Sequence, residues 1–285
     1  MHSGRSAGGW KIVWGKQSVT LLTKRMVEKP WGKDVLPKPF VAPQGKRIGE
    51  VWFEPPADLS EILVKYIFTS EKLSVQVHPS DAQAGELGET DRGKEECWLV
   101  IDAEPGAMLG VGFKQTIDVE TMRTSALDGS IEDMMEWCPV TAGDFFYIPA
   151  GTVHAIGAGV SLIEIQQNSD ITYRLYDYGR PRELHLDRGL SVASGERYSG
   201  GNELHWPEAG FAKLVRGPYF FANMLTGPTL TNSEGKAGEP CIVIPLSGKV
   251  RVGHDHVLPG SAALVKSLTD LVPEPGSRSV VVWQN

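Results

Sequence analysis

Four polar side chains stand inside otherwise apolar stretches of this chain: Gln76 and His78 in LSVQVHP, Glu96 in EECWLVI, and His154 in GDFFYIPAGTVH. Together they offer two imidazoles, one carboxylate and one amide oxygen. This mixed nitrogen and oxygen set suits a borderline dication such as zinc (Zn2+), one per chain, with manganese, iron or cobalt as alternatives. A single histidine on an apolar strand is ordinarily a satisfied core residue. Four such groups buried without partners would cost roughly 1 to 3 kcal/mol each, so they must meet one another, water or an ion. A shared ion satisfies all four at once.

The elements that position these groups must be strands. Gln76 and His78 are two apart, so on a strand both project from one face, and Pro79 ends it. Glu95 and Glu96 point to opposite faces, and only one of them can look inward. Pro149 fixes φ and Gly151 lets the backbone reverse, so the turn before His154 aims its ring to one side. Short strands of this kind recur in GEVWFE, EILVKYIFT, residues 105–113, GVSLIEIQQ and DITYRLYDYG, broken by Pro, Gly, Asp and Ser, and they predict antiparallel pairing. Glu164 and Gln166 share one face, while Arg174 lies opposite Tyr173 and Leu175. Over residues 116–137 the period changes to three and four. Two short helices are expected there, capped at Thr116 and Ser130 with Gly129 between them, and Met122, Met134, Met135 and Trp137 form their packing side.

Residues 1–25 are expected to be a flexible N-terminal extension, the first 20 being Gly- and Ser-rich. Residues 26–195 form the main β domain with its helical insertion. The stretch from Pro181 to about Gly201 is polar and turn-rich and reads as a linker. Residues 203–285 repeat the short-strand rhythm as a second, smaller β domain. His254 and His256 have HxH spacing there, but they sit in GHDHVLPG among turn signals, so a solvated hairpin is expected rather than a metal site.

With 285 residues, 41% of them apolar, the chain can fill real cores. A formal charge of −7 without Lys and Arg runs argues against a nucleic acid partner. Three cysteines without C-x-x-C spacing indicate neither a disulfide framework nor a thiolate metal site, and a reducing cytoplasm suits them. No apolar stretch approaches the ~20 residues that span a bilayer, and no signal-peptide core follows the first charges, so no membrane is expected. Oligomeric state is not legible.

GDFFYIPAGTVH has the spacing G-x5-P-x-G-x2-H and resembles the second signature of the cupin superfamily. SVQVHPSDAQ, GKEECWLV, PAGTVHAIGAG and EIQQNSDITYRLYDYGR, in that order between about Lys29 and Arg180, resemble the signature segments of the type I phosphomannose isomerase family in its short bacterial form. The resemblance implies a mainly β fold: a cupin (jelly-roll) barrel with a short helical insertion, followed by a smaller β-sandwich or cupin-like domain. It also implies zinc held by Gln76, His78, Glu96 and His154. The implied reaction interconverts mannose 6-phosphate and fructose 6-phosphate through an enediol, with a small sugar phosphate as partner. Carried over by motif, Lys94, Glu164, Asp170 and Arg174 are implied as catalytic: Glu164 or Asp170 as the base, Lys94 assisting, and Arg174 holding negative charge. Lys72 and Ser74 resemble positions that help bind phosphate, and Trp31 resembles a tryptophan near the substrate mouth.

Two departures stand out. Longer family members place His-Lys-Pro-Glu where this chain has Gly93-Lys94-Glu95-Glu96, so a histidine assigned there to ring opening is missing, and their long helical domain is absent. Two other functions compete. An Fe-dependent cupin oxygenase wants a three-ligand triad with open positions, which Gln76 as a fourth ligand disfavours. A non-catalytic sugar-binding cupin would lose the acid and base groups, whereas all four are present.

Overall fold

The apolar runs fold as strands that end where the sequence places Gly, Pro, Asp and Ser. A computed structural model describes residues 19–198, 201–203, 205–231 and 238–285, and the expectation for residues 1–18 lies outside the described residues. The strands are β1 (Val19–Leu21), β2 (Lys24–Lys33), β3 (Ile48–Phe53), β4 (Ile62–Phe68), β5 (Val75–Val77), β6 (Glu96–Ala103), β7 (Met108–Phe113), β8 (Met135–Pro139), β9 (Asp144–Ile148), β10 (His154–Ile156), β11 (Val160–Gln167), β12 (Tyr173–Tyr176) and β13 (Gly201–Glu203). In the second lobe they are β14 (Gly210–Arg216), β15 (Phe220–Thr226), β16 (Cys241–Ser247), β17 (Val250–Val252), β18 (Asp255–Val257), β19 (Ala263–Val265), β20 (Leu271–Pro273) and β21 (Arg278–Gln284). The α-helices are α1 (Asp81–Glu86), α2 (Val119–Asp128), α3 (Ile131–Met134) and α4 (Leu186–Val192).

A seven-stranded sheet, β13-β9-β6-β11-β4-β3-β2, faces a five-stranded sheet, β12-β5-β10-β7-β8. These are the two walls of the cupin barrel. Trp98, Val100, Phe146 and Leu162 of the larger wall meet Leu109, Val111 and Ile156 of the smaller in one core. In the second lobe β1-β19-β16-β21-β15-β14 form a six-stranded sheet backed by β18-β17-β20. The outer face of the seven-stranded wall is not solvated either, because Val51, Val64, Tyr66, Leu99 and Ile163 pack against Ala222, Met224, Ile242 and Val280 of that lobe. Burial on both faces explains why every residue of β4 and β11 is buried and why those strands read as apolar runs. The charged residues inside them, Lys65 and Glu164, are buried as well and pair with each other at 3.1 Å.

Helices cover the other wall. Met122 and Ala126 of α2, Ile131 of α3 and Leu190 and Val192 of α4 pack with Val77, Phe113, Tyr173 and Leu175. Several expectations are corrected here. Helix α2 starts at Val119, because Asp118 and not Thr116 accepts the Thr121 amide at 2.7 Å, while the Thr116 hydroxyl donates to Glu196. Ser130 precedes α3 but gives its hydroxyl to Asp128 and caps nothing. Gly129 separates the two helices at φ 87°, as expected of a glycine in that place. The helical insertion ends at Met134, and Met135 and Trp137 lie on β8, which pairs with β7 and buries Met135 fully. The stretch read as a linker holds α4, whose Leu190 and Val192 anchor it. Residues 19–25, expected to be flexible, are mostly strand: Val19 is buried and pairs with Val265, so β1 completes the second lobe's sheet. His254 and His256 are exposed beside and on the β17–β18 hairpin, with His256 opposite Arg251, as the turn signals required.

Candidate metal centre

Strand register assembles the site. On the seven-stranded wall Glu164 stands opposite Lys65 on one side and Trp98 on the other, so the three form one transverse row. Glu96 stands two residues before Trp98 on the same face, opposite Gln166. On the five-stranded wall Gln76 stands between His154 and Arg174. His78 follows β5 and shares the face of Gln76. The two rows meet inside the barrel.

The ligand atoms of His78, Glu96 and His154 all lie within 4.8 Å of one another, and all three residues are buried. His78 Nδ1 donates to the Ile171 carbonyl at 2.8 Å and His154 Nδ1 to the Thr152 carbonyl at 2.9 Å. Each bond fixes a tautomer whose Nε2 lone pair faces the centre. From those Nε2 atoms the Glu96 oxygens lie 3.6 Å and 3.5 Å away. A tetrahedral ion with ligands at about 2.0 to 2.1 Å has ligand-to-ligand edges of about 3.4 Å, so the spacing fits. Glu96 Oε1 is buried without a hydrogen-bond partner. The Gln76 amide lies beside this cluster, 3.2 Å from His154 Nε2, and a half-turn of that amide would present its oxygen there instead. The cluster could therefore hold a metal ion.

Charge inside the barrel is organised by burial and by two lysines. Burial, then the Lys94 charge, lowers His78 well below its usual value and His154 to about 4, so both stay neutral and able to ligate. Lys94 donates to His78 Nε2 at 3.0 Å and to Glu96 Oε2, and it lies 3.8 Å from Glu164. Burial alone would discharge it, but Glu164 and Glu96 outweigh burial and raise its pKa. Glu164 experiences the reverse balance. Burial pushes it up, yet Lys94 and Lys65 prevail and hold it down at about 2. Its Oε1 accepts from Lys65 at 3.1 Å and its Oε2 from the Trp98 indole at 3.2 Å.

A cavity of about 320 Å³ opens beside this cluster. Of the residues singled out from the sequence, it brings together Trp31, Ser74, Gln76, Lys94, Glu164, Asp170 and Arg174. Lys72 does not join them. Its ammonium pairs with Glu132 and lies over the rings of Trp137 and Tyr178 at 5.4 Å and 5.9 Å, in a different cavity. Residue 72 lies three positions before β5, which begins at Val75, and its carbonyl is held by Arg180 at 2.8 Å. The cavity also contains Lys29, Glu50, Trp52, Lys65 and Arg182, which the sequence reading missed. Lys65 was findable, as a cation in the middle of the apolar run ILVKYIF. A second cavity of about 360 Å³ lies between the lobes, on the outer face of the same wall, and touches none of the four candidate ligands.

The missing histidine has a steric reason. A Cβ on Gly93 would meet the Pro79 carbonyl oxygen at 2.3 Å and the Ser80 carbonyl carbon at 2.4 Å, both of them backbone. The Lys94 amide is bonded to that same Pro79 carbonyl at 2.9 Å and the Gly93 amide to Asp81 at 2.7 Å. The loop leading into Lys94 and Glu96 is thus pinned against the end of β5.

No family model matches this chain. It is 43% identical over 141 residues to a mannose-6-phosphate isomerase of Bacillus subtilis, 47% of this chain and 44% of that protein. Against a mannose-6-phosphate isomerase of Streptococcus mutans it is 43% identical over 137 residues, 46% of this chain and 43% of the relative. These alignments therefore span less than half the length of each relative. Similarity of structure extends further. The crystal structure of the mannose 6-phosphate isomerase from Bacillus subtilis superposes with a TM-score of 0.78 at 25% identity, covering 94% of this chain and all of that one. A phosphomannose isomerase variant from Salmonella typhimurium superposes at 0.68 with 12% identity over 94% of this chain, a likeness of fold alone.

Two outcomes follow from this geometry. Replacing Gly93 by Ala forces the pinned loop apart, so it should lower the thermal midpoint by several degrees, as about 1 to 3 kcal/mol of overpacking does, and weaken metal binding about tenfold. Gly93→His should be worse in both, and a variant as stable and as metal-avid as the parent contradicts the account. The second outcome concerns Glu95, immediately before β6, which burial and then Asp81 raise from 4.5 to about 7. The folded state therefore holds this proton more tightly than the unfolded state. Its contribution is present below the unfolded value and is lost as pH rises through about 7. Glu95→Gln, which cannot ionise, should show a smaller fall in thermal midpoint between about pH 5 and pH 8 than the parent does. An equal fall would show that Glu95 pays no such penalty.

Proposed function

We propose that this chain is a metal-dependent aldose-ketose isomerase acting on mannose 6-phosphate and fructose 6-phosphate. The observation that carries the reading is the meeting of a His/Glu/His cluster with a cavity whose wall holds Lys94, Glu164, Asp170 and Arg174. Likeness to mannose-6-phosphate isomerases, in sequence over about half the chain and in fold over nearly all of it, supports it. Gln76, His78, Glu96 and His154 would hold the ion, and zinc suits the donor set. When bound, such a dication polarises carbonyl and hydroxyl oxygens of the sugar as a Lewis acid.

The chain's own residues account for the rest. Five cationic side chains, Lys29, Lys65, Lys94, Arg174 and Arg182, and three anionic ones, Glu50, Glu164 and Asp170, line the cavity. The cationic surplus suits a dianionic phosphate. Arg174 has a donor to spare: its Nε is buried without a partner while Nη1 donates to the Glu183 carbonyl at 2.8 Å. A phosphate or enediolate oxygen supplies the acceptor it lacks. Trp31, buried at the cavity wall, gives the sugar a flat apolar surface, and the Ser74 hydroxyl, 3.3 Å from the Gln76 amide oxygen, adds a polar contact there.

Isomerisation moves one proton between C1 and C2. Glu164 is held ionised by its two lysines, and both of its oxygens already accept from Lys65 and the Trp98 indole, which disfavours it as the carrier of that proton. Its part is to hold Lys65 and Lys94 in place. Asp170 is the remaining expected carboxylate in the cavity and takes the role of base. Lys94, kept charged by Glu164 and Glu96, donates to the oxygen on which negative charge develops. Gly93 leaves no histidine for ring opening, so that step falls to the cavity's other polar groups.

An oxygenase with three ligands is not favoured, because Gln76, whose amide lies 3.2 Å from His154 Nε2, would fill a fourth position. A sugar-binding protein without chemistry does not account for the charged groups buried at this cavity. A cytoplasmic setting suits the three free cysteines, and among the described residues no helix is long and apolar enough to cross a membrane.

Metal-replete protein given mannose 6-phosphate should form fructose 6-phosphate, lose the activity to a chelator and regain it with zinc. Arg174→Ala should keep its metal, by elemental analysis, while kcat/KM falls roughly a hundredfold. Absence of turnover, or turnover indifferent to the chelator, contradicts the proposal.

A further inference from the structure

Trp98 is fully buried on β6 and touches both halves of the site. Its indole N–H donates to Glu164 Oε2 at 3.2 Å. Its ring meets the His154 imidazole edge to face, with centroids 5.3 Å apart and planes at 77°. Register makes this arrangement obligatory, because Trp98 and Glu164 are cross-strand partners on β6 and β11. Lys65 occupies the other Glu164 oxygen from the opposite neighbouring strand. The carboxylate is thus gripped from both sides along one row and cannot rotate without leaving a buried donor unpaired. On the other side of the indole, His154 is held by its Thr152 bond and by the indole surface, which together leave its plane one orientation.

We propose that Trp98 is a positioning residue with two separable arms. The indole N–H fixes Glu164, and through it the ammonium group of Lys65, while the ring surface fixes the plane of His154. The proposal rests on the isomerase reading for its first arm only. The second arm concerns metal binding and stands without it. Phenylalanine keeps an aromatic surface but no N–H, and leucine keeps neither, so two substitutions divide the arms.

In the metal-loaded protein W98F should bind zinc with the affinity of the parent, by competition with a chromogenic chelator, while kcat on mannose 6-phosphate falls about ten- to a hundredfold and KM changes less than about threefold. W98L should show the same loss of kcat and bind zinc about tenfold more weakly. A spectroscopic readout removes dependence on turnover. In protein carrying nitrogen-labelled tryptophan, the indole N–H resonance that disappears in W98F should move in Glu164→Gln more than any other indole resonance does. Three results overturn the proposal: W98F with parental kcat, W98F and W98L with equal zinc affinities, or an indole resonance indifferent to Glu164→Gln. If the parent does not turn over mannose 6-phosphate, the isomerase reading fails, and the zinc affinities and the resonance still decide the two arms.

Discussion

Burial of the seven-stranded wall on both faces is the constraint from which the rest of this structure follows. Its inner face closes the barrel against the five-stranded wall, and its outer face is covered by the sheet of the second lobe. Every residue of β4 and β11 is buried, so an ionised group there needs an opposite charge or hydrogen bonds beside it. Lys65 and Glu164 meet this demand by standing in register, as do Lys94 and Glu96 by lying two residues apart. Among the described residues, none from the second lobe joins the metal cluster. That lobe removes solvent from the back of the wall, and that dryness gives the charges at the front their strength.

The same dryness separates two carboxylates inside the barrel, Glu96 and Glu164. Glu96 has one oxygen without a hydrogen-bond partner facing two neutral imidazoles, an arrangement ready for a cation. Glu164 has donors on both oxygens and is held ionised. One therefore fits a ligand and the other a fixed counter-charge, although both sit in strands of similar composition. Similar side chains acquire different chemistry through what lies opposite them in the neighbouring strand.

Much of this was legible in the sequence, in so far as it depends on local periodicity. Alternation put Gln76 with His78, and separated Glu96 from Glu95, because two residues per repeat is a property of any strand. Lys72, set beside Ser74 by resemblance and not by alternation, lies before β5 begins and lines a different cavity. Alternation could also have found Lys65, whose burial is signalled by the apolar residues around it. Cross-strand partners were not legible: nothing within EECWLVI says that Trp98 will face Glu164, because register depends on how distant strands align. Helix limits escaped for a related reason. Asp118 and Thr116 are both competent caps, and Met135 left the helix because the sheet needed a strand to pair with β7.

Two imidazoles and the Glu96 carboxylate, with Gln76 beside them, could hold one metal ion inside the barrel. X-ray absorption at the zinc edge of the loaded protein tests this most directly. The account predicts one ion per chain with only nitrogen and oxygen neighbours at about 2.0 to 2.2 Å, two of them imidazole, and loss of the imidazole scattering in His154→Ala. A spectrum with sulfur neighbours, or one unchanged by His154→Ala, would place the ion elsewhere and contradict the account.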